Sequence, residues 1–199
     1  QCEQTAGCSG STGKAGVCGK TAETANLQDE LTGALMGLAC ACTTNPKTEN
    51  TDRLILEGLF TTVTNVNFDD ASIRRMLQRV RDEKAQVAPG CAACMSRCGS
   101  TDDYDMKRIW EAEEDIRSLK SLILFGIRGM AAYAYHAMVL GYTSDEVNDF
   151  FYRALFVLAQ DWEISQLLPV ALETGKVNLA CMELLDKANT ETYGTPSPV

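Results

Sequence analysis

The sequence predicts an all-α fold: a bundle of about seven helices in two packed groups, behind an N-terminal cysteine-rich loop. Three observations carry that expectation. Apolar residues recur every three or four positions through most of the chain, which is the period of a helix with one buried face. Cap-forming Thr, Asp and Ser residues and terminating glycines punctuate those stretches. No segment alternates convincingly at the period of a strand, and no internal repeat is visible.

The elements follow in order. Residues 1–20 hold Cys2, Cys8 and Cys18 in a loop rich in Gly, Ser and Thr. Thr21 or Thr24 is expected to cap the first helix, with Glu23 favouring its positive end. Leu27, Leu31, Leu35, Leu38 and Cys42 form its apolar face. Gly33 and Gly37 lower helix propensity and imply close approach of a neighbour. Thr43–Asn50 reads as a loop, and Thr51 as the cap of a short helix through Leu54, Ile55, Leu59, Phe60 and Val63. Thr64–Phe68 is a turn, after which Asp69 or Asp70 caps a third helix. That helix points Ile73, Met76, Leu77, Val80 and Val87 inward and its arginines outward. Those arginines suit an acidic partner, but a solvated face is the simpler expectation.

Ala88–Asp105 breaks the helical pattern. A half-helix follows from Met106, and then a long helix from about Asp115 to Leu140, ended by Gly141. Its apolar run from Leu119 to Leu140 is interrupted by Lys120 and Arg128, so it reads as a buried core helix. Ser144 caps the next helix, with Val147, Phe150, Phe151, Ala154, Leu155 and Leu158 as core candidates. Trp162–Glu173 is helical but contains Pro169. Gly175 is expected to separate it from a last helix carrying Val177, Cys181, Leu184, Leu185 and Ala188. The organisation is thus a loop over 1–20, a bundle over 21–190 and a proline-bearing linker over 191–199.

Composition excludes several function classes. The 199 residues are 45% hydrophobic, enough for a real core, and carry a net charge of −9. That charge opposes binding to nucleic acid or to an anionic membrane surface. There is no GxGxxG, P-loop or HExxH sequence, so no nucleotide site or zinc protease is expected. No signal peptide is visible, and a cytoplasmic location is expected. The chain opens on Gln1, not Met, so residues upstream are expected.

Nine cysteines are too many for an ordinary cytosolic chain, and an odd number cannot all pair. Their clustering favours metal over a secreted disulfide scaffold. Short glycine-rich spacing lets the thiolates of Cys2, Cys8 and Cys18 converge, as iron–sulfur ligation requires. Cys91, Cys94 and Cys98 form a second cluster. Their spacing allows a zinc or iron–sulfur site with a fourth ligand from elsewhere; unpaired or incidentally paired thiols are the simpler reading. Cys40, Cys42 and Cys181 read as buried apolar cysteines. His136 reads as a satisfied structural histidine on a core-rich helix. The Tyr133, Tyr135 and Tyr142 group reads as packing, and the acidic run Glu111, Glu113, Glu114, Asp115 as a solvated helix start.

The segments QCEQTAG, VCGKTAETANLQD, LFTTVTNVNFDD, DIRSLKSLILFGIRGMAAYAYHAMVLG and LLDKANTETYGTPSP together resemble the N-terminal domain of the hybrid cluster proteins, also called prismane proteins or hydroxylamine reductases. They run in family order from residue 1 to residue 198. The resemblance implies a helical domain holding a [4Fe–4S] cluster, or in some members a [2Fe–2S] cluster, through four N-terminal cysteines. Cys2, Cys8 and Cys18 match the second, third and fourth; the first would lie three positions before Cys2. It further implies that the catalytic hybrid 4Fe cluster belongs to later α/β domains absent from these 199 residues, so no catalytic residue is assigned. The implied role is electron entry, from a donor reductase to hybrid-cluster domains in cis or trans. The rival expectation is a helical scaffold or interaction protein whose cysteines bind zinc or no metal.

Overall fold

The computed structural model describes residues 18–88 and 103–197. Seven helices lie among them: α1 (Ala22–Ala41), α2 (Glu49–Thr61), α3 (Asp70–Val87), α4 (Lys107–Trp110), α5 (Glu114–Val139), α6 (Asp145–Leu158) and α7 (Ile164–Tyr193). No strand occurs among the described residues. Helices α1–α3 pack on one another, as do α5–α7, and the two groups join where α2 meets α5 and α1 meets α6. The expected two-group, all-α architecture is therefore observed, with one contiguous apolar core between the groups.

Helix α1 is central. Its predicted face is buried, with Leu31, Leu35 and Leu38 fully enclosed, but burial extends to Ala25, Ala34, Ala39 and Thr32 on the other sides. Small residues on those sides let neighbours come close. At Gly33 the closeness is backbone to backbone: the Tyr104 amide donates to the Gly33 carbonyl at 3.1 Å. A Cβ at Gly33 would fall inside van der Waals distance of the Tyr104 carbonyl oxygen. Backbone cannot swing aside as a side chain can, so Gly33→Ala is expected to cost about 1–3 kcal/mol. A lowered urea midpoint with an unchanged m-value checks this.

Of the two caps offered for α1 one is used, and the cap of α2 differs from expectation. Thr21, not Thr24, caps α1, accepting from the Thr24 amide at 3.1 Å. Helix α2 begins earlier than predicted, because Thr48 is its cap. The Thr48 hydroxyl accepts from the Thr51 amide at 3.1 Å, and the Thr51 hydroxyl accepts from the Thr48 amide at 2.7 Å, a reciprocal capping box. Asp69 caps α3, accepting from Ala71. Ser144 caps α6. Gly141 takes a φ of +87° and ends α5 as predicted, with the Gly141 amide on Met138 and the Tyr142 amide on Ala137.

The C-terminal region is the largest departure. The predicted pair of helices is one 30-residue helix, α7, which runs through Pro169 and Gly175 without a break. Pro169 lies within the first two turns, where its missing N–H removes only one intrahelical bond. Gly175 is exposed and costs about 1 kcal/mol of propensity. Leu167, Val170, Val177 and Cys181 stay buried along the whole length, and that continuous face outweighs both local penalties.

Helix α5 is long and apolar enough to cross a membrane by length and composition, yet it runs through the core. The two cations inside its apolar run are buried and employed. Lys120 Nζ donates to the carbonyls of Leu158 (3.1 Å) and Gln160 (2.7 Å), satisfying orphan acceptors at the end of α6. Burial pulls its pKa down from the usual lysine range. Arg128 donates to the Thr32 hydroxyl at 2.9 Å. Burial lowers its pKa to about 10, and the Asp29 carboxylate draws it partly back.

Candidate functional site

The site begins at Cys18, the one predicted N-terminal cluster ligand within the described residues; Cys2 and Cys8 lie outside them. Cys18 is exposed and takes part in no disulfide. Gly19 follows with φ +83°, a left-handed conformation that any side chain would strain. The chain then turns inward. Lys20 is buried, and its ammonium donates to Gln28 Oε1 at 2.7 Å while lying 5.8 Å from the centre of the Phe68 ring. One residue later Thr21 caps α1. Cys18 thus sits three residues before a helix N-terminus, whose unpaired amides favour negative charge nearby.

The first turns of α1 are braced from a distance. Thr24 Oγ1 donates to Asp70 at 2.6 Å, and Gln28 Nε2 donates to the Asn67 carbonyl at 3.0 Å. The Asn65–Asp70 turn is itself tied down, with Asn65 at φ +64° and Asn67 Oδ1 accepting from the Asp69 amide. Sequence reading took Thr64–Phe68 as a plain turn. Its role as a brace depends on contacts 39 and 46 residues away in sequence, which no local pattern reveals.

A buried polar thread leads from the site into the core. Lys20 meets Gln28; the Gln28 carbonyl accepts from the Thr32 hydroxyl at 2.7 Å; Thr32 accepts from Arg128. Alongside it, Trp110 Nε1 donates to Asp29 at 3.1 Å. This thread holds the Cys18 end of α1 to α5.

The other predicted features resolve as follows. Cys91, Cys94 and Cys98 lie outside the described residues. Among the described residues no three His, Cys, Asp or Glu groups converge on one point. Cys181 is buried as expected, its thiol donating to the Met130 carbonyl at 3.3 Å, and burial raises its pKa to about 11. An acid whose folded pKa lies above its unfolded value adds stability that is lost as pH rises through that range. Stability should therefore fall between about pH 9 and pH 11, and Cys181→Ala should flatten that part of a urea-midpoint profile.

Three expectations need correction or refinement. Cys40 is buried but disulfide-bonded, not the free apolar thiol predicted. His136 is exposed, packing edge-on against Phe60 and Tyr135 at 5.5 and 5.9 Å instead of being enclosed in the core. The tyrosines do not act as a group: Tyr133 is partly exposed, Tyr135 packs on Phe60, and Tyr142 donates to Glu191. The acidic run does start α5, where Glu113 accepts from Asp115 and Ile116. The basic face of α3 is largely neutralised, with Arg74 on Glu23, Arg79 on Glu57, and Arg81 and Lys84 on Asp103. That favours the solvated-face expectation over an acidic docking partner.

Against known proteins, residues 1–199 match the Prismane/CO dehydrogenase family. Curated relatives named hydroxylamine reductase include one from Methanococcus vannielii, 38% identical over 98% of this chain and 40% of its own length. Another, from Caldanaerobacter subterraneus subsp. tengcongensis, is 41% identical over 91% of this chain and 37% of its own. A third, from Chlorobaculum tepidum, is 42% identical over 91% and 36%. The chain spans about two-fifths of the length of the curated relatives it matches.

Proposed function

The chain belongs to the Prismane/CO dehydrogenase family, and from that premise we propose that it is the electron-transfer iron–sulfur domain of a hydroxylamine reductase-type oxidoreductase. The observation that carries this reading is Cys18. Its thiol is exposed, outside any disulfide, and set on a glycine turn braced by Lys20–Gln28 and Gln28–Asn67.

The donor chemistry fits an iron–sulfur cluster. Cys2, Cys8 and Cys18 would hold it, as [4Fe–4S] or [2Fe–2S], with a fourth ligand from elsewhere. Such a group supplies one-electron transfer at a potential set by ligands, hydrogen bonds and solvent access. This chain's own residues do the positioning. Gly19 supplies the left-handed turn beside the Cys18 ligand. The buried Lys20 ammonium and the α1 N-terminus place positive charge behind an anionic centre. The buried thread through Gln28, Thr32 and Arg128 keeps that end of α1 from shifting against α5. Electrons would come from a donor reductase and pass to hybrid-cluster α/β domains, in a cytoplasmic setting. Reduction of hydroxylamine or nitric oxide is assigned to those domains.

Anaerobic titration with dithionite tests the reading. Visible absorbance that bleaches on reduction and returns on reoxidation is expected. A colourless, redox-silent protein, or one holding zinc, would leave a helical scaffold instead.

A further inference from the structure

Helices α5 and α7 run side by side in the same direction. Gly126 lies against Thr174, Met130 accepts from Cys181, and Tyr142 donates to Glu191, so contacts advance together along both. Each helix also turns a second apolar stripe outward. On α7 it comprises Leu168, Leu172, Gly175, Leu179 and Met182, spaced four, three, four and three residues apart. That is the seam spacing of a helix that packs against another helix. Leu172 is 70% exposed and Leu179 61%. On α5 the stripe comprises Leu122 (59% exposed) and Phe125 (50%), continued by Gly129 and Tyr133.

Between the stripes runs a groove of about 390 Å³ floored by small residues, including Gly126, Gly129, Ala171 and Gly175. No charged residue lines it. Of its polar side chains, Thr174 donates to the Val170 carbonyl and Asn178 lies on Met182 Sδ. The face is therefore apolar, shaped for a helix, and offers nothing to an ionic ligand. The α3 face, by contrast, is spanned by arginine–carboxylate pairs.

The relatives are about two and a half times as long, and they match this chain through their N-terminal part. The additional polypeptide must meet the helical domain across some surface, and contiguous exposed apolar surface of this kind marks such an interface. We propose that the α5–α7 groove is the docking surface for an apolar helix from the polypeptide that follows this region in its relatives. The inference rests on the family relationship and not on a bound cluster, so iron content does not bear on it.

Hydroxyl-radical footprinting tests it on two samples: residues 1–199, and the polypeptide continued through the region that follows in the relatives. Met36 and Met130, both fully buried, report that the helical domain is folded in each sample. Labelling of Leu172, Leu179 and Met182 is expected to fall about fivefold or more in the longer polypeptide. The double change Leu172→Lys and Leu179→Lys, at positions already in solvent here, should restore labelling at Leu168 and Met182. Equal labelling in the two samples would overturn the proposal. So would protection already present in residues 1–199 with a doubled mass by light scattering, which would make a second copy the occupant.

Discussion

Replacing Arg128 by alanine lowers the unfolding free energy by about 3–5 kcal/mol, the range for breaking a buried charge arrangement by removing one partner. Arg128 is buried and spans between the two helical groups, from α5 to Thr32 on α1. Its loss removes the donor to Thr32, leaves the Asp29 carboxylate without its nearby cation, and opens a void. Thr32 is the hub of the thread to Gln28 and Lys20, so the damage reaches the Cys18 end of α1. The measurement is equilibrium urea unfolding followed by circular dichroism. If Asp29 and Arg128 interact as described, Asp29→Asn in the same chain costs less than it does alone. A coupling of about 0.5–3 kcal/mol is expected from the double-mutant cycle.

The second large effect separates fold from function. Cys18→Ser should abolish stable iron–sulfur loading while leaving the helical content unchanged. Cys18 is exposed, and nothing in the core rests on its sulfur. Serine oxygen is a harder ligand than thiolate and holds iron–sulfur clusters poorly. Iron and sulfide should drop to background with the urea midpoint shifted by less than 0.5 kcal/mol equivalent, as for a surface substitution. Cys181→Ser is the control. It should cost stability, because it changes a buried apolar packing position, yet leave cluster loading intact.

The fold was legible where local and tertiary forces agree. Leu27, Leu31, Leu35 and Leu38 declared α1 by spacing, and Phe150, Phe151, Leu155 and Leu158 declared α6. Caps were readable to within three residues. Thr51 was read as the cap where Thr48 serves, because both hydroxyls engage in one capping box. Pro169 and Gly175 misled because their local penalties are real, while the packing of α7 on α5 that overrides them is not local. His136 misled in the opposite sense. It lies on a core helix, but a helix of 26 residues has an outer face, and His136 falls on it.

Cysteine spacing and the VCGKT context pointed to Cys18 as a candidate ligand and to a helix start behind it, and the helix does start there. What sequence could not supply was the support. The burial of Lys20 depends on Gln28 and Phe68, whose contacts with it no local pattern reveals. Arg128 and Thr32 are 96 residues apart, a pairing that periodicity does not encode. Lys120 and Arg128 were recognised as interruptions in an apolar run; their partners explain why those interruptions are tolerated.

The most direct test of the account is the iron and acid-labile sulfide content of anaerobically purified residues 1–199, read together with intact mass. Roughly four irons with four sulfides, or two with two, are predicted. Protein that is folded by circular dichroism yet carries no iron and no sulfide would contradict an electron-transfer role and leave a helical scaffold.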